Sequence, residues 1–323
     1  MGQYPTPSDQ EIVAAVDQAG WLLEQQAARV LADHDFNARP SWAFSDPDEP
    51  TKSRELDVWS YRRYLSDAST KVYVGATVLV ECKQSEQPYC AIGQELPDWR
   101  RAGNPAEHTL PVRFVPRIFN FEKNQLEYGH CWDVVGFRDL GLRHGQSHFR
   151  ATQLTRLDLH NKKWSASNAG IFNSLVYPLA KAVRADQKTQ GSGHRREKWL
   201  KSEPKGTNRT GYVGYRVRFP VVLISCPLHV IDASATQPVV TPSKWVRVQR
   251  HLESQSLTGV FEFDIVTRDF FVEYVETVVH GFMTELASTV HADPFRYTGE
   301  LWMPPGVPTE GNYSSTLPVN DWV

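Results

Sequence analysis

The chain has 323 residues, of which 41% are apolar and 22% charged, and its formal net charge is −2. This composition is ordinary for a soluble protein with a sizeable core, and the near-neutral charge excludes a protein that is basic throughout, so nucleic-acid binding would need a local patch. No apolar run approaches the roughly 20 residues that span a membrane. The four cysteines form no C-x-x-C pair, which predicts reduced thiols in a cytoplasmic protein and no zinc site of standard spacing.

The first predicted element is a helix from Ser8 to about Asp33. Ser8 and Glu11 have the spacing of a capping box. Apolar residues at helical spacing predict one buried stripe: Ile12, Val16, Ala19, Leu23, Ala27 and Val30. Glu24 lies about 100° around the helix from Leu23, at the border of this stripe. There it can reach a site beneath the helix or remain a solvated flank residue.

A strand predicted near 36–44 and an acidic loop at 45–50, interpreted as solvated, lead to a predicted hairpin. Residues 54–59 and 72–84 have strand composition, and the polar stretch between them predicts the loop. A turn centred near Ser69 places Asp57 opposite Glu81, provided that no bulge shifts the register. Lys83 leaves the sheet on the same face as Glu81, because side chains alternate along a strand.

This spacing has chemical content. Two neighbouring carboxylates repel each other unless a cation lies between them, and hard oxygen ligands with open water positions suit Mg²⁺. A nearby lysine can orient a water molecule or balance charge on a phosphate. The same residues also fit an ordinary surface hairpin in which Glu81 and Lys83 are solvated and Asp57 caps a strand. From the residues alone, both interpretations stay open.

Asp57 followed by Glu81-Cys82-Lys83 resembles the motif of the PD-(D/E)XK superfamily of nucleases, which have the restriction-endonuclease-like fold. The Glu-x-Lys closes an apolar run, and the segment 54–58 is similar to the R-E-x-D-V strand of the Mrr-like and archaeal Holliday-junction-resolvase-like branch. An upstream helix with a glutamate also matches that branch. No proline precedes the aspartate, which departs from the pattern in the family name.

The resemblance implies a role for each residue. Asp57 and Glu81 would hold a metal ion with the backbone carbonyl of Cys82, and Lys83 would position or deprotonate the attacking water. Glu24 would ligate a second ion or order its waters. Two accessory residues are also expected: Glu55 shares a strand face with Asp57 and would be a reserve ligand, and Gln84 would orient substrate or water.

The implied function is a Mg²⁺-dependent nuclease, with Mn²⁺ expected to substitute, that acts on DNA in restriction, phage defence or repair; RNA is left open. Symmetric cutting of both strands requires two active sites and therefore a homodimer or a partner subunit. Two alternatives stay open. One is a non-cleaving module of the same fold that binds nucleic acid or a protein partner, and the other is an interaction protein whose Glu-x-Lys arose by chance.

Residues 96–165 show little periodicity and are interpreted as an insertion, with strands near 112–119 and 132–137. A second helix is predicted from Ala169 to about Lys188, and Pro178 within it is expected to kink or split it.

The most basic stretch, 188–218, is rich in glycine, and flexible basic loops can follow a phosphate backbone. A solvated loop is the alternative. The candidate nucleic-acid-binding residues are Arg195, Arg196, Lys198, Lys201, Lys205 and Arg209.

The continuous apolar run at 219–226 predicts a strand that is buried on both faces. Further elements are predicted in this order: strands at 228–231, 245–251 and 259–266, and a helix at 268–290. The order of elements predicts an α/β fold with a mixed central β-sheet flanked by helices. We expect one nuclease-like domain at 8–295 and an irregular tail at 296–323.

Overall fold

The computed structural model describes residues 6–70, 72–97, 117–120, 125–128, 137, 149–193, 213–234 and 236–298. The strands are β1 (Asn37–Ser45), β2 (Ser53–Asp67), β3 (Val72–Lys83), β4 (Tyr89–Glu95), β5 (Arg117–Asn120), β6 (Gln125–Tyr128), β7 (Phe149–His160), β8 (Lys163–Ser167), β9 (Val213–Ile224), β10 (Leu228–Asp232), β11 (Val239–Ser243), β12 (Trp245–Glu253) and β13 (Thr258–Thr267). The α-helices are α1 (Asp9–Gln18), α2 (Trp21–Asp33), α3 (Tyr177–Gly193), α4 (Phe271–Tyr274) and α5 (Gly281–Ala292).

In the described residues, eleven strands form one mixed sheet in the order β1-β2-β3-β9-β13-β12-β7-β4-β10-β11, with β8 paired to β7. Helices cover both faces, which confirms the predicted α/β class. On one face Leu23 of α2 and Leu286 of α5 pack in the same layer as Val80 of β3. On the other face Leu179 of α3 packs in the same layer as Leu79. Alternate residues of β3 therefore enter opposite layers of the core.

The predicted central strand is confirmed. β9 pairs in parallel with the whole of β3, and the ladder ends with Lys83 opposite Ile224. Val221 and Val222 lie in opposite layers, so the apolar run at 219–226 is buried on both faces.

β3 and β9 end side by side, and both chains then bend into a second pair of parallel strands, β4 and β10. The Ser225 amide donates to the Lys83 carbonyl over 3.1 Å, and the Tyr89 amide donates to the Pro227 carbonyl over 3.0 Å. β7 pairs with both β4 and β12. The last part of segment 96–165, which we expected to be an insertion, therefore belongs to the main sheet.

The first helix differs from the prediction, because it is broken at Gly20. Gly20 has a φ of +90°, a left-handed conformation that ends α1 and redirects the chain into α2. None of the residues of α1 is buried, and Ile12 of the expected stripe is 46% exposed. Only the α2 half of the stripe packs on the sheet.

The second and last predicted helices are present, and each contains a π-helical turn. Phe172–Val176 is such a turn and leads into α3, so that Pro178 lies in the first turn of the α-helix, where proline is tolerated. Val275–His280 forms the second, between α4 and α5. The helix expected at 268–290 therefore folds as one continuous helical segment with local changes of pitch.

Three other predicted elements lie only partly within the described residues. The strand expected at 112–119 overlaps β5, whose first residue is Arg117. The strand expected at 132–137 lies outside the described residues except for Phe137, which is buried. The expected tail at 296–323 is described as far as Thr298, in a short 3₁₀ turn.

Candidate active site

The register of the β2–β3 hairpin is the one predicted at its open end, where Val58 lies opposite Val80. Near the turn, the pairing of Asp67 with Val72 is one residue out of the predicted register. A bulge between Arg63 and Leu65 then restores the predicted register. The next residues on the two strands are Asp57 and Glu81. The hairpin therefore brings the two predicted carboxylates to the same end of the paired strands.

Beyond Val58 and Val80 the two strands separate: β2 continues along β1, while β3 continues along β9. We call this point the fork. The Asp57 carboxylate lies in it and accepts a hydrogen bond of 2.6 Å from the amide of Cys82. The carbonyl of Lys83, one residue on, faces the opposite neighbour, β9. Because backbone groups alternate in this way, the carbonyl of Cys82 faces the fork together with its amide.

The backbone is twisted at Asp57. Its neighbours Leu56 and Val58 pack into opposite layers of the core, although residues two apart on a regular strand share a face. Across the ladder, Ser41 has a φ of +49°, which is unusual for a residue other than glycine. Such irregularities redirect side chains. Here the twist coincides with the candidate metal ligand.

Glu81 and Lys83 form an ion pair in which Nζ lies 2.8 Å from Oε1. Burial raises the pKa of Glu81 to about 7, and the charge of Asp57 adds to this effect, whereas Lys83 opposes it. Burial acts to lower the pKa of Lys83, but the Glu81 carboxylate outweighs it, and the pKa is raised. Lys83 is therefore an ammonium group throughout the neutral pH range.

Glu24 lies in the first turn of α2, directly after the left-handed Gly20. Burial raises its pKa to about 7, and the charges of Asp57 and Glu55 add to the effect. Glu24 is therefore close enough to the fork for the charge of Asp57 to act on it, as its position at the border of the buried stripe predicted. Glu55 is exposed and contributes its charge from the rim.

Gln84 links the start of α2 to the end of β3. A Cβ atom on Gly20 would lie 3.4 Å from the Cβ of Gln84, so the two segments are in close contact. The buried Oε1 of Gln84 makes no hydrogen bond within the described residues.

Burial raises the pKa of the Asp57 carboxyl group as well, although the Cys82 amide and Lys83 oppose it. The fork is therefore a place where several acidic groups are poorly solvated together.

The donor set fits Mg²⁺ in one of its usual modes. Within the described residues, no three Asp, Glu, His or Cys side chains are grouped so that they could hold a metal ion. Mg²⁺ commonly uses one or two carboxylates and keeps several waters. Asp57, Glu81 and the carbonyl of Cys82 offer hard oxygen ligands of this kind. A cation among them would offset the burial and the neighbouring carboxylate charges that raise the pKa values of Asp57 and Glu81.

Two features of this region were not predicted. Tyr89 is close enough to Lys83 for their charges to affect each other, because the bend after β3 returns the chain towards the site. The acidic loop, expected to be solvated, is anchored instead: the fully buried Asp46 side chain contacts Lys181 at 2.9 Å and Arg54 at 2.7 Å. This cage fixes the start of β2, four residues before Asp57.

The structure brings all the predicted catalytic and accessory residues to the fork, on α2, β2 and the end of β3. The expected nucleic-acid-binding residues lie outside the described residues: Arg195, Arg196, Lys198, Lys201, Lys205 and Arg209.

No protein-family model, curated protein or solved structure matches the chain. In the described parts, no helix is long and apolar enough to cross a membrane.

Proposed function

We propose that this protein is a metal-dependent nuclease that hydrolyses phosphodiester bonds in DNA. One observation carries the proposal: Asp57 and Glu81 converge with Lys83 where two paired strands separate, and Glu24 adds a further carboxylate from the helix above. Burying several carboxylates costs stability, which is characteristic of functional sites. The resemblance to the PD-(D/E)XK superfamily suggests the chemistry.

Asp57, Glu81 and the carbonyl of Cys82 would hold the metal ion. When bound, Mg²⁺ stabilises the negative charge that develops on the phosphate. The Lys83 ammonium group can hold the attacking water or a phosphate oxygen, because its pKa is raised and it keeps its proton. Glu24 and Gln84 line the helix side of the fork, where Glu24 can order waters and the free Oε1 of Gln84 can accept a hydrogen bond from one.

The setting is proposed on similar grounds. Within the described residues, Cys82, Cys90 and Cys226 are free and buried, which supports a reducing, cytoplasmic environment. The branch that the motif resembles acts in restriction, phage defence and repair, and we propose one of these settings. Cutting both strands symmetrically would require a homodimer or a partner subunit.

The test is a cleavage assay on plasmid, linear, single-stranded and branched DNA with Mg²⁺, Mn²⁺ or EDTA. Wild type is compared with Lys83→Met, which removes the ammonium group at the fork, and with Lys244→Met, which removes an exposed one elsewhere. We expect cutting that requires metal, survives in Lys244→Met and is lost in Lys83→Met. Absence of both cutting and Mn²⁺ binding in the wild type would refute the proposal.

A non-cleaving nucleic-acid-binding module is the second candidate. The closed ion pair between Glu81 and Lys83 favours it, because an ammonium group already neutralises one of the two metal ligands. This alternative predicts DNA binding in EDTA without Mn²⁺ binding and without cleavage. The enzyme predicts that Mn²⁺ binds and that Asp57→Asn abolishes the binding.

A further inference from the structure

The β7–β8 hairpin extends beyond the sheet. Arg156 is the last residue of β7 that pairs with β4. Among the described strands, residues 157–160 pair in the ladder with β8 alone. Leu159 and Trp164 lie opposite each other, 47% and 59% exposed. A two-stranded ribbon with large exposed apolar side chains is marginally stable by itself. We call residues 157–167 the arm.

The base of the arm adjoins the candidate active site. The amide of Leu157 donates to the carbonyl of Pro88 over 2.9 Å, in the bend that follows Lys83. The next residue, Tyr89, lies opposite Arg156 in the β4–β7 ladder, and Arg156 forms an ion pair with Asp158. The tip lies four to five residues further out, about 15 Å at the rise of a β-strand. A substrate strand leaving the fork on this side would meet the arm.

The tip carries positive charge in an unfavourable backbone position. Asn161 and Lys162 have φ values of +49° and +62°, as in a type I′ turn, whose second residue is best suited by glycine. Within the described residues, neither Lys162 nor Lys163 has an ion-pair partner. Glycine would be more stable than lysine at position 162, so the lysine there suggests that its charge has a function.

We propose that the arm binds the nucleic-acid substrate beside the cleavage site. Lys162 and Lys163 contact phosphates, and Trp164 stacks on an unpaired base, the combination by which single strands are bound. The identity of the ligand rests on the proposed function. The competing explanation is that Leu159 and Trp164 only stabilise the hairpin as a cross-strand pair.

The lysines are tested by fluorescence anisotropy with the full chain in EDTA, using a single-stranded oligonucleotide and a duplex of equal length. The variants are Lys162→Gly, which removes the charge and suits the turn better, and Lys163→Gln. The control is Arg63→Gln, an exposed cation six residues from Asp57 along β2, about 20 Å away. Each arm variant should lower the slope of log affinity against log salt by about 0.7–0.9 for each lost phosphate contact, and the control should not.

Stacking is tested with a pair of substitutions at Trp164. Trp164→Ile places a β-branched side chain, which suits a strand, opposite Leu159 but has no aromatic face, whereas Trp164→Tyr keeps the face. Phe295→Ala removes another exposed aromatic side chain as a control. We expect Trp164→Ile to bind the single strand about tenfold more weakly, and Trp164→Tyr and the control to bind almost as wild type does. Thermal denaturation checks that each variant is folded.

The outcomes separate this proposal from the nuclease proposal. Binding that depends on Lys162, Lys163 and Trp164 without any cleavage supports the arm and counts against the nuclease. Cleavage with unchanged binding in all the arm variants overturns the arm alone. Absence of nucleic-acid binding by the wild type at low salt, or equal weakening of Trp164→Ile and Trp164→Tyr, also overturns it.

Discussion

Replacing Glu81 with glutamine is expected to stabilise the metal-free protein above neutral pH. Burial and the charge of Asp57 raise the pKa of Glu81 from 4.5 to about 7, although Lys83 opposes them, and Glu81 is only 6% exposed. The folded chain therefore holds a proton that the unfolded chain releases. The protonated Glu81 side chain therefore contributes stability that is fully present below pH 4.5 and is lost as the pH rises from 4.5 through 7.

The size of the effect follows from the shift. Each pKa unit corresponds to 1.36 kcal/mol, so a rise from 4.5 to about 7 lowers the free energy of unfolding at pH 8 by about 3 kcal/mol. Glu24 and Asp57 titrate in the same field, so part of this effect is shared among the three carboxyl groups. Glutamine resembles the protonated carboxylic acid, and we expect Glu81→Gln to be about 1–3 kcal/mol more stable than wild type at pH 8.

Urea denaturation in EDTA at pH 4.5 and pH 8 measures the effect. The two proteins should differ little at pH 4.5 and diverge at pH 8. Glu262→Gln is the matched control, because Glu262 is a partly buried carboxylate paired with Arg150 at 3.1 Å, and its neutralisation should destabilise the chain. If Glu81→Gln proves less stable than wild type at pH 8, the Glu81–Lys83 pair supports the fold, and the reasoning that the burial of the Glu81 carboxylate costs stability is wrong.

Three more changes test the site and its supports. Mn²⁺ should raise the melting temperature of the wild type, by an amount equivalent to about 2.7 kcal/mol at one hundred times its dissociation constant, and Asp57→Asn should abolish the increase; an unchanged shift would contradict the metal assignment. Lys181→Met should cost about 3 kcal/mol in urea denaturation, because it leaves the buried carboxylate of Asp46 with less compensation; a loss below 1 kcal/mol would show that the cage is dispensable. Gly20→Ala should cost about 1–2 kcal/mol, because φ is +90° there and a side chain strains this left-handed backbone; equal stability would show that the turn is adaptable.

Local rules predicted the register of the candidate site to within one residue, and the bulge between Arg63 and Leu65 cancels the one-residue offset at the turn. The alternation of β2 and β3 and the polar turn between them place Asp57 and Glu81 together, and the structure has that register at the fork. The border position of Glu24 follows from helical periodicity, and the helix does bring its charge to Asp57. Both inferences use neighbours in sequence or one hairpin, where geometry leaves few alternatives.

Other features depend on contacts between residues far apart in sequence. Lys181 reaches Asp46 across 135 positions, and nothing local in the acidic loop predicts a buried cation there. β4 and β7 pair with each other and complete the sheet, although their segments show weak periodicity. The break at Gly20 was missed because a single glycine is compatible with a helix, and only the packing against Gln84 shows why the chain turns there.

The arrangement at the fork argues for chemistry and against a purely structural hairpin. A structural hairpin would extend its ladder or end in solvated side chains, yet here the ladder stops, Asp57 turns to the amide of Cys82, and Glu81 is buried. The twist opposite Ser41 adds backbone strain at the same point. The burial of Glu81 and the strain at Ser41 cost stability, and Lys83 compensates for only part of the acidic charge, since the pKa of Glu81 is raised in spite of it. A divalent cation bound by Asp57 and Glu81 would compensate for the remainder, which is why metal binding is the most direct test of the proposed function.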